Sequence, residues 1–435
     1  MSDNQTNTML TVSAAVSDMV INGFNDKSLE RIGGALVLAG TKKLIALIRG
    51  DDNARRVMSV GSVAANYATQ AGKPVLESIG AGALGLGAAP LGVLSLGVVQ
   101  MEFAVLLKRV TNIERRLQET QALLEQVNRK LDLGFYSNFC AALDLASRAF
   151  TMGKIENRND AAWQAVNRLA EARRHYTKLA DYEISAKSKL AREYLATLLL
   201  AYAAEIRCYL EMGEPQEAIK LLELGVAEIH PRVQFHVNTL LTSNPSAYLH
   251  PELKGTIDLR RLTSVMRWFD PTLDENAVFE QQRDNFSRLS KDFDGWVKTL
   301  PTAIWDPLID VQSGGSNTPS FTRSSLAPAI ARTSLLLNSN LVKWLGRGGP
   351  EETKIFPRLA ETFDCIEGMI EDMDRFQAYE MEIQVIEQLG ISFSHWKQPL
   401  TPADTRGEDL FVITALEPLN LKLKPAALVS RASAV

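Results

Sequence analysis

Between Glu77 and Glu102 the chain carries no charged residue, and residues 78–101 are apolar, rich in glycine and interrupted once, at Pro90. A bilayer core about 30 Å thick is crossed by roughly 20 apolar residues in a helix, whereas a stretch of about 10–14 is more typical of a buried core helix. The run therefore admits two outcomes. Either the rest of the chain covers it, or it meets lipid.

Pro90 divides the run unequally. Residues 78–89 carry Gly80, Gly82, Gly85 and Gly87, and as a helix they reach only about 18 Å, too short to cross alone. Residues 91–107 carry Gly92 and Gly97. A kinked single span or a re-entrant wedge is expected rather than a symmetric pair of spans. Each glycine costs a water-exposed helix about 1 kcal/mol relative to alanine, while small residues let backbones approach closely in lipid. Segment 78–107 is thus expected to be a poor helix in water and a better one in a membrane. Its insertion residues are Ile79, Leu84, Leu86, Pro90, Leu91, Val93, Leu94, Leu96, Val98, Val99 and Phe103.

From Phe103 the apolar positions alternate in steps of three and four: Leu106, Val110, Ile113, Leu117, Leu124, Val127 and Leu131, with Thr120 in the one polar slot. This is a heptad seam, and it predicts a long helix over 103–133 making a coiled-coil contact. Lys108 and Arg109 stand where the flank of a span carries positive charge, or on a solvated helix face.

Elsewhere the pattern is largely helical. Residues 10–24 and 29–48 read as amphipathic helices separated by Asn25-Asp26-Lys27, and 52–70 as a third, stopped by Gly72 and Pro74. Helices are predicted over 135–152, 160–182, 185–212 and 214–229, with Gly213 and Pro215 at a tight turn. Shorter ones follow at 233–241, 258–269 and 275–300, then 328–344 and 352–389. Residues 410–416 and 419–423 show short apolar or alternating patterns, suited to a small β pair or an extended tail. The fold class is all-α: an N-terminal helical bundle over 1–134, a helical domain over 135–310, a linker or loop over 311–327, and a helical C-terminal region over 328–435 with an extended tail.

Composition excludes more than it assigns. A hydrophobic content of 46% and a net charge of −4 suit a large globular chain and give no electrostatic footprint for nucleic acid. Cys140, Cys208 and Cys365 are odd in number and far apart, as expected of buried thiols in a reducing compartment. Residues 1–9 hold no basic residue and no leader-like apolar stretch follows, so a cytoplasmic, conditionally membrane-associated chain is expected.

Catalytic patterns are missing. His230 and His236 belong to no metal-binding spacing. The acidic run Glu371-Asp372-Met373-Asp374 lacks the turn glycine of a calcium loop and reads as a solvated helix face. Gly80, Gly82 and Gly85 follow no strand, as a dinucleotide site requires. No enzyme activity, metal or cofactor is expected.

Two resemblances add to this. Residues 202–231 resemble one tetratricopeptide-type helix pair at Tyr209, Gly213, Ala218, Leu222, Gly225 and Pro231, without a second copy. A single helical hairpin of a bundle explains the same residues. An apolar run adjoining a heptad helix over about residues 10–230 resembles the organisation of α-helical pore-forming toxins of the cytolysin A type. That resemblance implies a membrane-active chain that is soluble at rest, then inserts and homo-oligomerises after a trigger. Its partners would be a lipid membrane and a protein partner or inhibitor, and a self-directed defence response is one expected setting. The C-terminal half is unlike a simple toxin tail and suits a sensor, partner-binding or autoinhibitory role. The alternative is an intracellular helical scaffold or adaptor whose apolar run stays buried.

Overall fold

The computed structural model describes residues 10–13, 28–50, 93–95, 97–98, 101–125, 134–304, 351–397 and 410–419. In chain order these form β1 (Leu10–Ser13), β2 (Leu29–Ile32), β3 (Ala35–Leu38), β4 (Leu44–Gly50), α1 (Phe103–Glu125), α2 (Gly134–Ala149), α3 (Ile155–Ser185), α4 (Ala191–Met212) and α5 (Pro215–Leu241). Two short 3₁₀ turns lead to α6 (Leu259–Phe269), α7 (Glu275–Leu289), α8 (Phe293–Lys298), α9 (Glu351–Gln388), α10 (Phe393–Trp396) and β5 (Leu410–Leu419). The described chain is mostly helical, with one small sheet.

Two helices form the centre. A helix that is apolar on all sides must be enclosed by others, and every residue of α4 from 194 to 208 is buried. On α9, residues 362–386 include no exposed position. Around these two pack α1, α2, α3 and α5, and one continuous apolar cluster runs from Ala35 to Trp396. Local signals set the helix ends. Gly213, in the left-handed region at φ +81°, closes α4, and Pro215 opens α5. Asp258, Asp274 and Asp292 cap α6, α7 and α8, each accepting from the backbone N–H three residues on.

The α5 crossing depends on a missing side chain. A Cβ on Gly225 would lie 2.7 Å from the Phe376 ring and 2.9 Å from that of Tyr202. Gly225→Ala is therefore expected to destabilise the chain by about 1–2 kcal/mol, overpacking outweighing the gain in helix propensity. Urea unfolding followed by circular dichroism measures this; an equal or more stable variant would show that the rings yield freely.

The structure corrects four local expectations. In place of the helix over 29–48 it has strands β2 to β4, and residues 10–13 of the stretch expected as a helix over 10–24 are strand β1, residues 14–24 lying outside the described residues. The strands form a five-stranded antiparallel sheet in the order β1-β5-β4-β3-β2. Gly33-Gly34 separates two four-residue strands, which is a two-residue hairpin; short apolar runs such as 35–38 do not distinguish strand from helix by period. The C-terminal extended segment is one strand paired with β1 and β4, not a local β pair. Pro231 lies inside α5 rather than ending it. Ile229, Val233 and Val237 are buried on either side of it, and their packing offsets the roughly 3 kcal/mol that proline costs a helix interior. Residues 275–300 divide into α7 and α8, the second restarted by Asp292. The helices expected over 52–70 and 328–344 and the linker over 311–327 lie outside the described residues.

Candidate functional site: a polar cradle for residues 93–101

The end of the apolar run is buried. Leu94, Val98 and Met101 are at most 2% exposed, Phe103 is buried and Val93 is half-buried. Ile79, Leu84, Leu86, Pro90, Leu91, Leu96 and Val99 lie outside the described residues. The heptad seam is filled from within the chain: Leu106, Val110, Ile113 and Leu117 are buried where α1 meets α2 and α4. Leu124 lies on α1 with its side chain outside the description, and Val127 and Leu131 lie beyond the described residues.

The described residues of 93–101 are not in a regular helix, so their backbone groups need partners elsewhere. Side chains supply them. Asp372, Arg375, Tyr379 and Glu382 follow one another on α9 at steps of three, four and three, which places them along one stripe. Asp372 Oδ1 accepts from the Leu94 N–H at 2.9 Å, and Glu382 Oε2 from the Val98 N–H at 2.7 Å. In the other direction Arg375 donates to the Leu94 carbonyl, and the Tyr379 hydroxyl to the Ser95 carbonyl at 2.9 Å. Arg207 on α4 donates to the Val98 carbonyl at 3.3 Å, and Arg109 on α1 to Ser95 Oγ at 3.2 Å. The described residues of 93–101 thus form a strap held by side chains from three helices.

A second layer fixes the cradle. Trp396 Nε1 donates to Glu382 Oε1 at 2.9 Å. Arg207 pairs with Glu211 at 2.7 Å and lies 4.5 Å from the Phe393 ring centroid. A Cβ on Gly97 would come within 3.2 Å of Glu382 Oε2, so a larger residue there would push the carboxylate back.

Burial sets the protonation. Loss of solvent pushes Asp372 up to about 6, although the Leu94 N–H and the Arg375 guanidinium pull the other way. Asp374, half-buried beside Glu371, is also pushed up by loss of solvent. The Tyr379 hydroxyl is driven well above its ordinary range by burial, and stays a donor. Arg375 stays cationic, Glu371 and Asp372 outweighing the opposing effect of burial.

The cradle corrects two sequence readings. The acidic run on α9 is not a solvated face, for Asp372 is 5% exposed and Glu371 and Asp374 are half-buried. Of the two basic residues read as a flank, Lys108 is exposed but Arg109 is buried against Ser95. Arg109, Arg207, Asp372, Arg375, Tyr379 and Glu382 were missed as a group because they come together only across the fold. A sequence cue existed: these α9 polar residues interleave with Met369, Met373, Phe376 and Ile383, leaving the helix no consistently polar face.

Among the described residues no group of three or more His, Cys, Asp or Glu is placed to hold a metal ion. The three cysteines are free; Cys208 and Cys365 are buried, and Cys140 is half-buried. No helix of the described residues is long and apolar enough to cross a membrane. No protein-family model matches the chain, and no curated protein or solved structure is significantly similar to it.

Proposed function

We propose that the chain is a membrane-active helical effector, in which the apolar segment 78–107 is retained at rest and inserts after a trigger, with homo-oligomerisation in the membrane. The observation that carries this reading is the bonding of 93–101. Its backbone is held by ionisable and hydroxyl side chains rather than by secondary structure. Such bonds exchange readily for bonds to water once the site opens, whereas a helix formed in lipid satisfies the same backbone groups internally.

Leakage of a dye from liposomes tests it. Leu94 and Val98 are fully buried, so a charge at either would disturb the resting fold as well as insertion. Leu86→Asp is the cleaner variant, because it lies within the uncharged run, eight residues ahead of Leu94 in the sequence. A charge near the centre of an inserted helix is costly, and leakage is expected to fall roughly tenfold or more with the resting fold unchanged. Wild-type protein that neither binds nor permeabilises vesicles under acidification, proteolysis or mild heating would sink the proposal.

The second reading is a helical scaffold whose strap never leaves. The complete burial of Leu94, Val98, Leu106, Val110, Ile113 and Leu117 in the chain's own core favours it. Under that reading Leu86→Asp and wild type behave alike toward vesicles.

A further inference from the structure

The β2–β3 hairpin and the strap dock on the same stretch of α9, and they share one carboxylate. Arg31 on β2 donates from Nη2 to Glu371 Oε1 at 2.7 Å and from Nη1 to both Glu371 oxygens at 3.1 Å. Its Nη1 also donates to the Gly33 carbonyl at 2.9 Å. Arg375 Nε donates to the same Glu371 Oε1 at 2.7 Å, and its Nη1 to the Leu94 carbonyl. A continuous chain of bonds therefore runs Arg31, Glu371, Arg375, Leu94. All three side chains in it are shielded, at 5%, 13% and 6% exposure.

Gly33 closes the joint. It sits at φ +53°, where other residues are strained, and a Cβ there would lie 2.5 Å from Arg375 Cα and from the Asp374 carbonyl oxygen. The turn thus rests directly on the α9 backbone. With the hairpin seated, the Glu371–Arg375 pair lies in a low-dielectric site where its bonds are strong; once the hairpin lifts, water competes for every one of them.

We infer that the β2–β3 hairpin is an autoinhibitory clasp: seated, it keeps Arg375 on the Leu94 carbonyl, and displaced, it frees the strap. Force or binding at the sheet then reaches residues 93–101 without touching them, β2 being an edge strand of that sheet. As control of insertion this rests on the membrane-active reading; the coupling itself belongs to the resting chain.

Hydrogen exchange by mass spectrometry on the full chain tests it without membranes. The amides of Leu94 and Val98 report the strap, residues 29–38 the hairpin, and α4 the core. In Arg31→Ala, exchange over 93–101 is expected to rise roughly tenfold or more while α4 is unchanged, with Arg31→Lys in between. Faster exchange in 29–38 with 93–101 as slow as in wild type would overturn the coupling. So would equal acceleration of 93–101 and α4 in both variants, which is global loosening. A chain that shows the coupling but never permeabilises vesicles counts against the membrane reading alone; one that permeabilises without the coupling counts against the clasp alone.

Discussion

Arg375→Ala is expected to destabilise the resting fold by about 3–5 kcal/mol, the cost of breaking a buried ion pair and leaving its partners behind. Arg375 serves Glu371 and the Leu94 carbonyl at once. Its loss leaves a buried carbonyl without that donor, leaves Glu371 with Arg31, and removes a cation near Asp372. Arg375→Lys keeps the charge but not the planar fork that reaches both acceptors, so an intermediate loss is expected. Urea unfolding followed by circular dichroism gives the values. A loss under about 1 kcal/mol for the alanine variant would mean that water already fills the cradle, since exposed pairs contribute that little.

Asp372→Asn is expected to change how stability depends on pH, by roughly 2 kcal/mol between pH 4 and pH 7. Burial lifts the folded-state value from 3.8 to about 6. Between those two values the folded chain holds a proton that the unfolded chain has lost, so stability falls as pH rises through this window. Above it the carboxylate is charged in both states and the penalty is constant. Asparagine mimics the protonated acid and keeps an oxygen for the Leu94 N–H. The variant should match wild type near pH 4 and exceed it at pH 7. Glu371, Arg375, Tyr379 and Arg192 act on this group, and all stay in place in both chains. Titration of His236, pushed down to about 4 by burial and Arg192, is common to both and cancels in the difference. Parallel stability curves would show that Asp372 is solvated in the folded chain.

How much was legible follows from the range of each interaction. The helix α9 falls within one residue of its expected span and α4 ends where expected, because a helix pattern is written into consecutive residues, while the starts of α3 and α4 are displaced by about five residues. The seam through Leu106, Val110, Ile113 and Leu117 is buried as its spacing required, although its partners are α2 and α4 of the same chain. The hairpin was misread despite a local signal, since Gly33-Gly34 between two short apolar runs is a turn that fixes strand pairing. Carboxylates on α9 were misread for a different reason. A helix position shows its own neighbours at three and four residues, and nothing local says whether the facing surface is water or the backbone of residue 94.

By itself the sequence determined most of the long helices of 103–241 and 351–388, though not the strands before them, and that residues 78–101, with neither charge nor a sound helix pattern for water, had to be covered or inserted. Only the tertiary structure decided what holds the end of that run. Leu94 meets Asp372 across 278 residues of chain, and Val98 meets Glu382 across 284. Periodicity encodes a residue's face and not its partner; only packing α9 against α5, with Phe376 edge-on to Tyr202 of α4, and seating Gly33 on its backbone brings these carboxylates and arginines onto the strap.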